Sequence, residues 1–299
     1  MTKKYAIGVD VGGTKIQTAL ILGHRVLKRF RVPTEAKRGK KVILSNIARA
    51  IKEVRAPGVG FIGVGIAGLV DHKKGVFREG PNFPRSFRQI PLARWLTAKF
   101  GVPARVDNDV RCFTLGETRF GAAKGRLNVV GLTIGTGIGG GIVLKGRVYR
   151  GRDNAAGEIG HAIVDIGSKE RCGCGRLGHF EALAAGPAIM KLFFDRTGKR
   201  LLATDIEKLA KKGDRVAART LAEASRLLGI GAASIAQILN PDIIVIGGGV
   251  SRVRSLWPGL IRTFKQNVTF PVLRSTPIVM AKLGDDANVL GAALLRESL

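Results

Sequence analysis

An apolar run, Tyr5 to Val11, stops at Gly12-Gly13-Thr14 and resumes at once as a second run, Ile16 to Leu22. After a loop at Gly23-His24 a third run follows, Val26 to Val32. Strand, tight turn, strand, turn, strand is a meander. Far down the chain the succession returns: Asn128 to Ile134, the turn Gly135-Thr136-Gly137, then Ile138 to Leu144, with Val148-Tyr149 as the start of a third strand. Two halves on one pattern point to a duplicated unit, a repeat of pattern rather than of identity. Between them, Val42, Ile43, Ile47 and Ile51 give Lys41 to Glu53 helical spacing. Gly60 to Ile66 and Ala104 to Val106 read as strands, and Leu92 to Phe100 and Cys112 to Phe120 as helices. A long helix (Ala217 to Leu239), a strand (Ile243 to Ile246), the turn Gly247-Gly248-Gly249 and a closing helix (Ala287 to Glu297) complete the order. No long linker separates the halves, so the expectation is an α/β chain of two closely packed domains with a cleft between them.

The three turns hold the residues that suit a phosphate. Glycine lets backbone N–H groups approach an anion because no Cβ blocks the way. In Asp10-Val11-Gly12-Gly13-Thr14-Lys15, Thr14 adds a hydroxyl donor, and Asp10 suits Mg²⁺ held through water. A plain hairpin would explain one such turn; the recurrence at Gly135 to Gly141 and at Gly247 to Ser251 favours a clamp on a polyphosphate tail. None is a Walker A loop or a good Rossmann fingerprint. Asp107-Asn108-Asp109 lies between a strand and a helix, where one residue suffices as a cap. The spare carboxylate suits a general base acting on an alcohol during phosphoryl transfer. Glu158 and His161, three apart, suit a polyhydroxy ligand.

The bulk composition sets the remaining bounds. Three cysteines, two of them as Cys172-Gly173-Cys174, argue for a reducing compartment rather than a disulfide framework, and the expected location is cytoplasmic. MTKKYAIGVDVGG is not a signal peptide, and no run of 18 or more apolar residues implies a membrane span. Fifty Lys and Arg against 22 Asp and Glu give a formal charge of +28. That field attracts polyanions, yet the basic residues are scattered, without aromatic interleaving or a nucleic-acid signature, which favours a solvated basic surface over a nucleic-acid partner. From Gly157 to Glu181, two cysteines (Cys172, Cys174) and two histidines (His161, His179) cluster between the acids Glu158 and Glu181. Cys112 reads as core, and His24 and His72 as surface residues in turns.

Taken in order, these pieces resemble the ROK (repressor, open reading frame, kinase) family of sugar kinases, nearest its ATP-dependent glucokinases. The likeness runs nearly end to end. It includes Gly65-Ile66-Ala67-Gly68-Leu69-Val70-Asp71, Pro81-Asn82-Phe83-Pro84 and Gly157-Glu158-Ile159-Gly160-His161 besides the turns already named. The resemblance implies an actin-like ATPase (ribonuclease H-like) fold of two lobes around a cleft: residues 1–117 with 286–299 as a small lobe, and 118–285 as a large lobe with a zinc loop. It implies Asp109 as catalytic base, and sugar contacts from Gly68, Asn82, Asn108, Asp109, Glu158, His161 and Glu181. Asp10, Gly12, Gly13, Thr14, Lys15, Thr136 and Gly137 would serve the phosphates and their Mg²⁺, and Gly248 and Gly249 the adenosine. It further implies a homodimer and a zinc ion on His161, Cys172 and Cys174, with His179 where the family usually has a third cysteine. Such a closed Cys₂His₂ set leaves no position for a water, so the zinc would be structural. Ala185 departs from the serine many members carry.

The implied activity is ATP-dependent phosphorylation of the 6-hydroxyl of a hexose, most nearly glucose. N-acetylglucosamine, N-acetylmannosamine, fructose or mannose are alternative acceptors, and polyphosphate an alternative donor. A sugar-responsive transcriptional regulator is disfavoured, because the first strand begins at Tyr5 and leaves no room for a helix-turn-helix ahead of it.

Overall fold

A computed structural model describes residues 4–298. They pack into two compact units: residues 4–127, 141–156 and 282–298 form the first, and Asn128–Gly140 with Gly157–Ala281 the second. Compared with the division expected at 117/118 and 285/286, residues 118–127, 141–156 and 282–285 lie with the first unit. One physical reason is Glu117, a fully buried carboxylate that accepts backbone N–H bonds from Ala122 (2.7 Å), Lys282 (3.0 Å) and Leu283 (2.8 Å).

The first unit begins with β1 (Tyr5–Val11), β2 (Lys15–Leu22) and β3 (Arg25–Pro33), followed by α1 (Lys40–Val54) and β4 (Val59–Ile66). A small antiparallel hairpin, β5 (Leu69–Asp71) and β6 (Val76–Glu79), precedes α2 (Leu92–Phe100), β7 (Ala104–Asn108) and α3 (Asp109–Phe120). The sheet order is β3-β2-β1-β4-β7. β1 and β2 pair antiparallel with Val9 opposite Thr18, and β1, β4 and β7 run parallel. β1 and β4 are buried almost throughout, as central strands covered on both faces must be. Ile43, Ile47, Ile51 and Val54 form the stripe that seats α1 on the sheet core.

The second unit carries β8 (Val129–Ile134) and β9 (Ile138–Leu144); β9 runs on into the first unit, where it pairs with β10 (Arg147–Val148). There follow α4 (Phe180–Ala184), α5 (Gly186–Thr197), α6 (Ala203–Lys211), α7 (Arg215–Leu239), β11 (Ile243–Gly247), α8 (Leu256–Asn267) and β12 (Ile278–Met280). The sheet order is β10-β9-β8-β11-β12, the same succession as in the first sheet. The expected duplication is therefore present in the topology. α7 is capped by Asp214, whose carboxylate accepts from Ala217 N–H at 2.9 Å, and ends at Asn240 in the left-handed region. Its apolar side meets Phe180, Phe193, Leu260 and Phe264 in one core.

The chain returns to the first unit with α9 (Ala287–Ala293). A Cβ on Gly8 or Gly63 would run into the carbonyls of Val289 and Ala292, so these strand glycines let α9 lie directly on β1 and β4. The closing helix is shorter than Ala287 to Glu297: beyond Ala293 the chain tightens into a 3₁₀ turn, Leu294–Ser298. Cys112 is fully buried beside Leu115 and Val289, as expected. No helix among the described residues is long and apolar enough to cross a membrane.

Candidate active site and metal centre

β7 extends through Asn108 and α3 starts at Asp109, so the three polar residues take three different duties. Asn108 is the cap: its Oδ1 accepts from Val110 N–H (2.9 Å) and Arg111 N–H (3.2 Å). Its Nδ2 donates to the Gly68 carbonyl at 3.1 Å, tying the cap to the end of β4. Gly68 has φ 136°, and a Cβ there would strike the Glu79 carbonyl, so only glycine fits. Asp109 stands at the first helical position, half-buried, with Oδ1 3.0 Å from Val110 N–H.

Asp107, itself fully buried, points the other way, into a largely buried cluster that the sequence reading did not find. Its carboxylate meets Arg111 Nη1 at 3.1 Å and Arg150 at 2.8 Å (Nε) and 2.7 Å (Nη2), with His72 Nδ1 at 3.5 Å. Arg111 also donates to the carbonyls of Asn154 (2.6 Å) and Ala156 (3.0 Å). His72, expected at the surface, is buried: Nδ1 lies 3.1 Å from the Val106 carbonyl. Burial pushes its pKa down, Asp107 opposes that shift, and Arg150 and Arg105 reinforce it. An acid at 107 and an arginine one helical turn later were the available signal.

In the first glycine turn, Gly12 N–H donates to Lys15 O at 3.0 Å, and a Cβ on Gly13 would meet the Asn82 side chain. Thr14 and Lys15 are exposed beside it, as is Asn82. Asp10 accepts from Asn288 Nδ2 at 3.1 Å, a partner from α9 that no motif announced. Desolvation raises the Asp10 carboxyl, against the pull of Asn288 and Lys15.

The second unit holds the other residues singled out from the sequence. Gly135 N–H donates to Gly137 O at 2.9 Å, leaving Thr136 exposed at the tip. Glu181 braces this turn: its Oε2 accepts from Ile138 N–H at 3.0 Å, and a Cβ on Gly137 would run into the same carboxylate. Gly248 has φ 87° with its position closed by the Ile134 carbonyl, whereas Gly249 faces open space.

His161, Cys172, Cys174 and His179 converge, their ligand atoms all within 4.8 Å of one another. Nδ1 of His161 lies 3.3 Å from Nδ1 of His179 and 3.5 Å from Cys172 Sγ, and Cys174 Sγ lies 3.3 Å from His179 Nδ1. Tetrahedral zinc bonds of about 2.0–2.3 Å place their ligand atoms about 3.3–3.8 Å apart, so the donor set fits that ion. The spare ring nitrogen of His161 faces Glu158 at 3.9 Å, and Cys172 Sγ lies 3.6 Å from Glu181 Oε1. Burial lifts the Cys172 thiol to about 11, so a bound cation must displace its proton.

A family model described as the ROK family matches residues 6–298. This chain belongs to the ROK family. It is similar to the glucokinase of Thermotoga maritima, with 35% identity over 98% of this chain and 97% of that one. Among solved structures it resembles the ROK hexokinase of Thermus thermophilus (34% identity, TM-score 0.84, covering 98% of this chain and 99% of the other). It also resembles a ROK family glucokinase of Streptomyces griseus in complex with glucose and AMPPNP (31% identity, TM-score 0.84, with the same shares covered). The ROK architecture, an actin-like ATPase fold, accounts for the duplicated sheet order and for the glycine turn between the first two strands of each sheet. Within it, the structure brings Gly68, Asn108 and Asp109 together, sets Gly13 against Asn82, and joins Glu158, His161 and Glu181 to the metal-ligand cluster.

Proposed function

We propose that this ROK protein is an ATP-dependent hexokinase that phosphorylates the 6-hydroxyl of glucose. The observation that carries the reading is the division of labour at the head of α3. Asn108 satisfies the helix N-terminus and Gly68, and the Asp109 carboxylate stands next to it at the first helical position. In the reaction Asp109 takes the proton of the sugar 6-hydroxyl as that oxygen attacks the γ-phosphorus of ATP. The bond to the ADP oxygen breaks and ADP leaves. Gly68, Asn82, Asn108, Glu158, His161 and Glu181 hold the sugar hydroxyls. Gly12, Gly13 and Gly137 let the phosphates approach the backbone, with the Gly12 N–H closing its turn on Lys15 O, while the hydroxyls of Thr14 and Thr136 hold the phosphates and Lys15 adds charge. Gly248 and Gly249 give the adenosine room.

Asp10 would hold Mg²⁺ through water. A carboxylate whose charge is disfavoured by burial gains most from a nearby cation. Mg²⁺ there would neutralise charge developing on the phosphate oxygens. His161, Cys172, Cys174 and His179 would hold a structural zinc that fixes the loop carrying Glu158 and His161. A cytoplasmic setting is supported by three unpaired cysteines. A homodimer rests on family likeness, and light scattering tests it.

The deciding experiment is a steady-state panel with MgATP against glucose, mannose, fructose, N-acetylglucosamine and N-acetylmannosamine. Glucose is expected to give the highest kcat/KM. A tenfold preference for an N-acetylated sugar would replace the acceptor, and turnover with polyphosphate but not ATP would replace the donor.

A further inference from the structure

A depression of about 480 Å³ lies in the first unit, on the side of α3 away from Asp109's turn. Its apolar floor is Leu115, Val148 and Leu294, and its rim is Arg119, Arg147 and Arg150 with one acid, Glu297. An adjoining depression shares Arg119, Gly146 and Arg147 and adds Arg126 and Lys145. The size suits a small molecule, whose sites run about 300–1,000 Å³.

The charge here is not balanced. Glu297 pairs with Arg119 at 3.0 Å, but among the described residues no ion pair involves Arg147. Among the described residues Arg150 pairs with one carboxylate, Asp107, which it shares with Arg111. His72, held towards its neutral form, neither adds to nor relieves the cluster. One buried acid thus faces two guanidinium groups: Arg150 Nη2 lies 2.7 Å from Asp107, and the buried Arg111 Nε has no hydrogen-bond partner among the described residues. A buried excess of positive charge is costly unless an anion completes it. Arg150 and Arg147 both line the depression.

We propose that this depression binds a small organic phosphate. The phosphate group sits on Arg147 and Arg150, where planar guanidinium forks match its oxygens. The organic part lies on Leu115, Val148 and Leu294. The site is separate from the residues assigned to catalysis, and the proposal does not rest on the sugar-kinase reading.

Titration calorimetry with ribose 5-phosphate and with inorganic phosphate tests it, in the presence of saturating glucose and a non-hydrolysable ATP analogue to fill the candidate active site. The expected result is one ribose 5-phosphate per chain, bound more tightly than inorganic phosphate. Affinity should fall at least about tenfold in Arg147→Ala and weaken steeply with salt, and it should be unchanged in Asp109→Asn. Thermal unfolding of Arg147→Ala, expected to match the parent, checks that the variant is folded. The absence of binding, equal affinity for the two probes, or unchanged affinity in folded Arg147→Ala would each overturn the proposal.

Discussion

The two five-stranded sheets repeat one strand order, yet the polar residues around them are braced in opposite ways. At the first sheet the support is internal to the polypeptide: Asn108 caps α3 and reaches Gly68, while Asp107 beneath it is locked between Arg111 and Arg150. At the second sheet the corresponding residues sit on a long segment between β10 and α4 that has little regular structure, only a short 3₁₀ turn at Ile159–His161. There Glu158 and His161 depend on four convergent metal-ligand side chains, and Glu181 links that cluster to the glycine turn. Duplication supplied two copies of a phosphate-ready turn. What distinguishes them is whether hydrogen bonds within regular elements or a Cys/His cluster on a loop brace the polar residues beside the turn.

The contrast can be broken first at Asp107. Asp107→Ala leaves two buried guanidinium groups without a carboxylate and should cost about 3–5 kcal/mol, read by denaturant unfolding. A loss under about 1 kcal/mol would mean that the first unit does not depend on this cluster. Next comes the metal side. His179→Ala should reduce bound zinc from one per chain to none by mass spectrometry. At zinc a hundredfold above its dissociation constant, the lost stabilisation is about 2.7 kcal/mol. Full zinc retention would remove His179 from the ligand set. Asn108→Ala should cost about 1 kcal/mol through the lost cap, and Asn108→Asp should recover most of it because a carboxylate also caps.

The smallest effect is a pH slope. Burial holds the pKa of His72 below its ordinary 6.5, so the folded state binds this proton less readily than the unfolded chain. The contribution is intact above about 6.5 and lost as pH falls from there through the folded pKa. His72→Gln should flatten stability against pH in that window, and an unchanged slope would show that His72 is not its source.

The fold was legible wherever apolar periodicity was strong. β1, α2 and β9 match the sequence-based limits: β1 and β9 are runs free of charge except for Asp10, and α2 carries Leu92, Leu96 and Phe100 at helical spacing between Pro91 and Gly101. α4, α5, α6 and α8 were not anticipated: α4 and α6 are short, whereas α5 and α8 carry apolar residues at helical spacing (Ile189 and Phe193; Leu256, Leu260 and Phe264) that the sequence reading passed over, and all four pack with α7 and its neighbours. The candidate site was legible as residue types, since glycine turns, a capping Asx pair and a Cys/His cluster have local spacing. Its supports were not. Asn288 reaches Asp10 and Arg150 reaches Asp107 across long stretches of chain, and nothing local marks either pair. His72 reads as a turn residue next to two lysines, yet it is buried because Val106 and Asp107 from β7 lie against it.

The central claim is that the chemistry resides in the Asp109 carboxylate at the head of α3, with the metal loop serving only to hold its ligands. Asp109→Asn keeps size and helix position while removing the basic oxygen. Assayed for glucose-dependent ADP formation, it should lose at least about 100-fold in kcat, with the KM for glucose, the zinc content and the unfolding midpoint close to those of the parent. A kcat within about threefold of the parent, on protein of unchanged stability, would contradict the account, because a general base is worth far more than that.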